Sequence, residues 1–501
     1  MSTLSYLLSG FQTALSITNI GAAALGALLG IIVGAMPGIG SLVGVALLLP
    51  MTYSFNPTTA IIMLGAIYYS NMFGGAFSAI LINVPGDSPA IMTSLDGYPM
   101  ARKGQPGRAL MASNVSSFIG GLIGMVILTF LGPTLARAGL AFGPAEMTTL
   151  MLVALSSISW LIEGDVLKGI SVTCLGILVS TVGISTNTGA SRYTFHVVQL
   201  LSGIDFIPLV VGFIGMAQVF ELVTQDEREN QLLVKRLGFS DCKISKDDMK
   251  RMAGPIARGG VLGSVIGFIP GAGATMAAIV SYTIQKKSKK NKEPLGEGAI
   301  EGVAACESAN NGAAAGAFGP LLALGIPGSG TTAVLLGGLM MWGLEPGPRL
   351  FVDNAEFAWG LISSLYISNL IALAIALLMI PFIMQVICIP NRILIPSIVV
   401  ICFVGAYAST TSMWGVLIMI CGGVLGYLFK RFSYSPSPML LASILSVSFE
   451  VNVRRALIVS GGKLDIFVER PISLAFLLIF VVLMFSPLLK KLYRKCRAKK
   501  A

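Results

Sequence analysis

Four Pro-Gly pairs stand inside apolar sequence, where a chain in lipid needs unbroken helix. Gly34-Ala35-Met36-Pro37-Gly38-Ile39-Gly40 is matched by Gly267-Phe268-Ile269-Pro270-Gly271-Ala272-Gly273, and Asn83-Val84-Pro85-Gly86-Asp87-Ser88 by Gly325-Ile326-Pro327-Gly328-Ser329-Gly330. Proline lacks an N–H and glycine loosens the backbone, so each pair leaves peptide groups unbonded. Inside a membrane such groups persist only when buried in protein or lining a wet cavity. A helix that starts after a break offers free N–H groups and a partial positive charge, which suit a carboxylate. A helix that ends at a break offers carbonyl oxygens, which suit Na⁺. Ser41, Ser88, Ser329, Thr331 and Thr332 fall at or just after the breaks, and their hydroxyls can donate to an anion or coordinate a cation. A kink with a capping hydroxyl is the plainer reading of one break. Four at matching places favour a binding site. Its expected members are Pro37, Gly38, Gly40, Ser41, Asn83, Pro85, Gly86 and Ser88 in the first half, and Pro270, Gly271, Gly273, Thr275, Asn310, Asn311, Pro327, Gly328, Ser329, Thr331 and Thr332 in the second.

Ion coupling needs an ionisable or oxygen-rich group near those breaks. Glu307, Asn310 and Asn311 are spaced i, i+3, i+4 and share one helix face; the small residues Gly312 to Ala317 after them permit close backbone approach. Glu307 reads equally as an intramembrane carboxyl or as part of an aqueous loop behind the basic run Lys286–Lys292, and Glu301 reads as that loop. Asn71, also before small residues, is the first-half counterpart. Asp87 reads equally as an ion-coupling group or as a cap for the next helix. Asp87, Glu307 and Asn71 are thus the ion-coupling candidates, with Na⁺ and H⁺ both open. Glu163, Asp165 and His196 read as loop residues. Gly271-Ala272-Gly273 is no dinucleotide fingerprint, no P-loop appears, and no nucleophile pairs with the single histidine, so neither ATP drive nor an enzyme is expected. The seven cysteines show no metal spacing, and no cofactor is expected.

The elements that must position these residues are membrane helices. Of 501 residues, 54% are hydrophobic and 11% charged, well below the roughly 25% charged of a soluble domain. Apolar runs at 14–35, 111–132, 146–162, 205–222, 357–384, 391–408, 412–429 and 473–489 approach or reach the ~20 residues that cross a bilayer. A large soluble protein with buried helices would not hold so many uncharged runs. The net charge of +11 therefore reads as membrane topology rather than as a nucleic-acid surface. Met1 to Ala14 lacks the basic start of a cleavable signal.

Charge also orients the halves. The first basic residue is Arg102, so the first break is charge-poor on both flanks, and the later landmark Pro106-Gly107-Arg108 is basic. In the second half the flanks of Pro270-Gly271 are basic, and the landmark Pro346-Gly347-Pro348-Arg349 sits beside Glu345 and Asp353. The positive-inside rule then sets the halves upside down to one another. Residues 259–269 and 274–285 are each too short to cross and have basic outer ends, so they read as a re-entrant hairpin. One kinked spanning helix is the competing reading. By symmetry, 22–53 forms a hairpin from the periplasmic side, and the threading of 58–101 stays open. The expected fold is an all-α polytopic membrane protein with two inverted-topology repeats, re-entrant helical hairpins, broken helices and roughly 10–12 membrane segments. Residues 1–224 form the first repeat, 225–252 a polar connector, 253–489 the second repeat and 490–501 a basic cytoplasmic tail.

Gly-x-x-Pro-Gly-x-Gly twice, Asp96-Gly97-Tyr98-Pro99-Met100-Ala101-Arg102, Glu301-Gly302-Val303, Glu307-Ser308-Ala309-Asn310-Asn311 and Leu324-Gly325-Ile326-Pro327-Gly328 together resemble the large membrane subunit of the tripartite tricarboxylate transporters, the TctA family. The similarity runs over roughly residues 15 to 430, and departs at Cys306, where proline is common. It implies a multi-pass carrier of the bacterial inner membrane driven by a cation gradient. Its implied partners are a small TctB-like membrane subunit and a periplasmic TctC-like solute-binding protein that delivers an organic acid. The residues add that symmetric breaks suit a rigid-body, elevator-type movement importing a small carboxylate, and the resemblance implies that it is of the tri- or dicarboxylate class. A membrane scaffold or receptor without transport is the alternative, and an intramembrane enzyme would need a catalytic pair that is lacking.

Overall fold

Apolar residues make up 54% of the chain, and helices dominate the fold. A computed structural model describes residues 3–36, 39–157, 166–185, 189–224, 237–288, 291–387 and 389–483. Pro37, Gly38, Glu163, Asp165 and the basic tail lie outside the described residues. The first helices are α1 (Thr3–Ala14), α2 (Ile17–Ala35), α3 (Gly40–Leu48), α4 (Pro57–Ile82), α5 (Ala90–Arg102) and α6 (Pro106–Gly139). Next come α7 (Pro144–Ser157), α8 (Val166–Ser180), α9 (Phe206–Val210) and α10 (Ala217–Thr224), the last two joined through a π-helical turn at Val211–Met216. The second half opens with α11 (Lys246–Gly267), α12 (Gly273–Lys286), α13 (Ile300–Gly316), α14 (Phe318–Leu324) and α15 (Gly330–Met341). It continues with α16 (Leu350–Asp353), α17 (Ala355–Met379), α18 (Ile383–Ile387), α19 (Asn391–Thr410), α20 (Met413–Arg431), α21 (Ser437–Val459) and α22 (Ile466–Glu469), and an apolar helix at Pro471–Leu483 closes the described residues.

Seven of the described helical segments are long and apolar enough to cross a membrane: Ile17–Ala35, Pro57–Ile82, Pro106–Gly139, Phe206–Thr224, Ala355–Met379, Asn391–Thr410 and Met413–Arg431. Shorter apolar helices, such as Gly40–Ser54 and Gly330–Met341, add to them. This is an all-α polytopic membrane protein. The stretch whose threading the sequence left open is α4, a break, and α5. α4 is buried along nearly its whole length, so it is a central helix and not a lipid-facing one.

The chain forms two compact units. One comprises Met1–Ala136 with Ile207–Leu428, the other Arg137–Phe206 with Phe429–Ala501. In the second unit α8 packs against α21 through Gly176, where a Cβ would lie 2.4 Å from the Met439 carbonyl oxygen. Its two-residue strands β1 (Gly183–Ile184) and β2 (Ser191–Arg192) pair antiparallel. Arg192 meets Glu450 at 2.9 Å, and Arg470 meets Glu146 at 3.2 Å.

The first unit holds all the described break residues. Its framework is two close helix pairs built on glycines four residues apart. A Cβ on Gly26, Gly30 or Gly34 of α2 would lie 2.3–2.5 Å from the α4 carbonyl oxygens of Met63, Ile67 and Asn71. A Cβ on Gly259, Gly263 or Gly267 of α11 would lie 2.1–2.8 Å from those of Ala305, Ala309 and Ala313 on α13. Reciprocally, Gly74 abuts the Ile31 carbonyl and Gly316 the Ser264 carbonyl, at 2.3 and 2.4 Å. Backbones this close exclude any side chain, so dispersion and packing can hold helices together in lipid. The legs after the breaks fold back: a Cβ on Gly44 of α3 would touch Val33 of α2, and one on Gly259 of α11 would lie 3.2 Å from Ser281 Oγ of α12.

Candidate functional site

Each half ends a central helix in the same way. α4 stops at Asn83, with φ 57°, and α14 at Gly325, with φ 69°. A left-handed residue releases the helix. The following Val84-Pro85 and Ile326-Pro327 lie outside any helix, and proline disfavours α geometry in the residue before it. Asn83 therefore acts as a helix C-cap and is exposed, while Gly325 does the same with no Cβ penalty.

The paired breaks touch. Gly40 N–H donates to the Gly86 carbonyl at 3.0 Å, and Gly271 N–H donates to the Gly328 carbonyl at 3.2 Å. Gly86 packs so tightly that a Cβ would stand 1.7 Å from the Gly34 carbonyl oxygen; at Gly328 the corresponding distance, to Gly267, is 3.1 Å. The halves are then joined: Ser41 Oγ and Thr331 Oγ1, both buried, are 3.0 Å apart. Gly271, Gly328, Ser329, Thr331, Ser41, Gly40, Gly86 and Asp87 thus form one connected set. Pro85 and Pro270 are half-buried beside it, Pro327 is buried, and Ser88 is exposed. Pro37 and Gly38 lie outside the described residues.

The helix N-termini that follow the breaks differ. At α3 the Asp87 carboxylate accepts from the Ser41 N–H through Oδ2, at 3.1 Å, and from its neighbour Ser88 N–H through Oδ1, at 2.8 Å. The position matching Asp87 is Ser329, which caps α15 instead. Its Oγ accepts from Thr332 N–H at 3.2 Å, and Thr332 Oγ1 accepts from Ser329 N–H at 2.8 Å. α12 begins after Ala272 with no side-chain cap. Thr275 lies half-buried in its first turn, with no side-chain hydrogen bond among the described residues.

Glu307 lies in uninterrupted helix, fully buried, and not in a loop. Thr93 of α5 donates to its Oε1 and Ser117 of α6 to its Oε2, the latter at 2.8 Å. Asn311 Nδ2 reaches back to the Glu307 carbonyl at 3.1 Å. Among the described residues, the buried Oδ1 atoms of Asn71, Asn310 and Asn311 have no hydrogen-bond donor. That is unusual for amide oxygens and leaves them free to ligate. Asn71 turns to α2, where Nδ2 meets the Gly30 carbonyl at 3.5 Å. No described hydrogen bond joins Glu307 to the breaks, so it forms a second polar centre.

The expectation for Glu301 is corrected. It stands in the first turn of α13, 2% exposed, and its carboxylate takes Arg251 Nε and Nη2 at 2.8 and 2.9 Å. A buried carboxylate needs such a partner. Thr93 and Ser117 are residues that sequence reasoning missed, since nothing in their spacing points to Glu307. It also gave Asp96 no role beyond its motif. Asp96 Oδ1 accepts from the N–H groups of Gly296, Gly298 and Ala299 at 2.8–3.0 Å, and Oδ2 from the Tyr282 hydroxyl at 2.9 Å. It thereby fixes the entry to α13 from α5.

The tripartite tricarboxylate transporter TctA family matches this chain over residues 20–441. An uncharacterized 52.8 kDa protein in the TAR-I ttuC' 3'region of Agrobacterium vitis is 39% identical over 495 residues, 99% of this chain and 98% of the relative. An uncharacterized protein in the TAR-II ttuC' 3'region of the same organism is 38% identical over 228 residues, 45% of this chain and 94% of that relative. No solved structure matches.

Proposed function

The chain belongs to the tripartite tricarboxylate transporter TctA family, a family of transporters and not of enzymes, and we propose that it is the large membrane subunit of a binding-protein-dependent importer of small organic carboxylates. The observation that carries this reading is the Ser41–Thr331 contact, which draws breaks from both halves into one place. Open N–H groups at the start of α12, with those at Gly330 and Thr331 of α15, suit a di- or tricarboxylate. Asp87, on the other side of the contact, repels that anion and attracts its co-transported Na⁺ or H⁺. The halves are inverted by their charge, the folded-back legs are re-entrant, and the breaks lie near the bilayer midplane. One half rocks or slides against the other in an elevator-type cycle. A small TctB-like subunit and a periplasmic TctC-like binding protein complete the assembly in the bacterial inner membrane. A scaffold or receptor would have no use for open helix ends at a shared internal point.

The test is reconstitution with the small subunit and binding protein, with sodium and proton gradients imposed separately. Carboxylate uptake under one gradient is expected, and its loss in Gly271→Leu, since Gly271 has φ +80° at the tip. Normal uptake by folded Gly271→Leu would remove the site; no uptake of any carboxylate under either gradient would remove the function.

A further inference from the structure

The outer ends of α11 and α12 frame a cavity of about 650 Å³ lined by Lys250, Arg251, Arg258, Gln285, Ser288 and Glu301. Its charges do not balance. Arg251 is satisfied by Glu301. Among the described residues the Arg258 guanidinium finds only neutral oxygens, the Gln285 side chain and the Gly254 carbonyl. Lys250 is exposed and forms no ion pair among the described residues. Two cations without an ion-pair partner among the described residues therefore face one opening.

Below them the same face of α11 turns apolar. Val261 and Val265 follow Arg258 at intervals of three and four residues and are 48% and 52% exposed, and Ile269, in the break just past the helix, is 51% exposed. Residues so spaced line one stripe of a helix. A cationic cavity that leads into an exposed apolar stripe has the polarity of a phospholipid, with the phosphate at the cavity and an acyl chain along the helix. A free anion would need the cations and have no use for the stripe. We propose that the mouth of α11 and α12 binds one anionic phospholipid, its headgroup phosphate held by Lys250 and Arg258. Basic pockets at a membrane boundary recognise such headgroups, at about 1 kcal/mol for each cation.

The experiment uses the purified full-length chain and native mass spectrometry with added phosphatidylglycerol or phosphatidylcholine of the same acyl chains. Wild type should keep one phosphatidylglycerol in preference to phosphatidylcholine. Lys250→Gln with Arg258→Gln should weaken that retention about 25-fold, roughly fivefold for each charge. Val261→Ser with Val265→Ser should weaken it with the cations intact. Lys250→Arg should preserve it, and serves as the comparison should the double neutral variant fail to fold; Lys250→Gln alone should then show the fivefold loss. Wild-type retention by a folded neutral variant overturns the proposal. Inorganic phosphate that displaces the lipid at equal concentration would instead define a free-anion site. Complete displacement by the small membrane subunit would give this face to a protein.

Discussion

The two halves hold their backbones alike and charge them differently. In both, glycines four residues apart press one helix onto the carbonyls of the next, a left-handed residue ends a helix before proline, and a glycine N–H of the first break bonds the Pro-Gly carbonyl of the second. Yet the first half places Asp87 against the start of α3, whereas the second places Ser329 at the matching point and leaves α12 without a side-chain cap. Contact between backbones permits only glycine, so the framework repeats. A side chain at the break has no such restriction, so its charge is free to differ. Under the proposed function, the cation would belong to the first half and the anion to the second.

The largest contrast should come from the two Pro-Gly glycines. Gly86→Ala sets a methyl against a carbonyl that cannot yield, and should cost about 3 kcal/mol or more and abolish assembled protein. Gly328→Ala, with 3.1 Å available, should cost about 1 kcal/mol and leave the protein assembled. Equal yields of both variants by fluorescence-detected gel filtration would break the framework side of the comparison.

Next in size is the charge. Asp87→Asn removes a charge-assisted acceptor, about 2 kcal/mol, and should lower gradient-driven uptake about thirtyfold. Ser329→Ala removes a cap, about 1 kcal/mol, for roughly fivefold. Uptake that falls equally in the two variants, or more in Ser329→Ala, would contradict the division of labour. A smaller effect is expected at the junction: a double-mutant cycle of Ser41→Ala and Thr331→Val should give a coupling of about 0.5–1.5 kcal/mol in unfolding. Additive effects would mean that the halves do not meet there.

The smallest effect is at acid pH. Arg108 of α6 and Asp248 of α11 tie the halves at their polar end, through Nε at 3.2 Å and a second, shorter Nη2 contact. Burial alone would raise the Asp248 carboxyl, but Arg108 and the Ser245 backbone and hydroxyl outweigh it and hold it at about 2. Its folded value lies below the ordinary ~3.9. The contribution is therefore complete above about pH 4 and is lost as pH falls towards 2. Asp248→Asn should narrow the difference in thermal midpoint between pH 5 and pH 3. The change is small because Arg108 remains 25% exposed and water screens the pair.

Much of the framework was legible because its signals are local. Pro-Gly within an apolar run and long uncharged segments each act on their own neighbours in sequence, whereas the glycines four residues apart on α2 and α11 showed their purpose only once α4 and α13 were packed against them. Asn83 and Gly325 are both left-handed, as expected of the residues most tolerant of that region. α4 was harder to place. Its polar and aromatic residues break the hydropathy pattern, and only burial by surrounding helices makes that composition tolerable. Glu301 was misplaced because an acidic residue after a lysine run looks aqueous until Arg251 is brought to it.

Sequence alone determined the breaks, their repetition and the membrane class, since backbone chemistry and bilayer thickness act through near neighbours. The tertiary structure decided the partners: Thr331 for Ser41, Thr93 and Ser117 for Glu307, the three N–H groups for Asp96. Those contacts join residues far apart in the chain, and burying a polar group demands a partner without specifying which distant segment provides it.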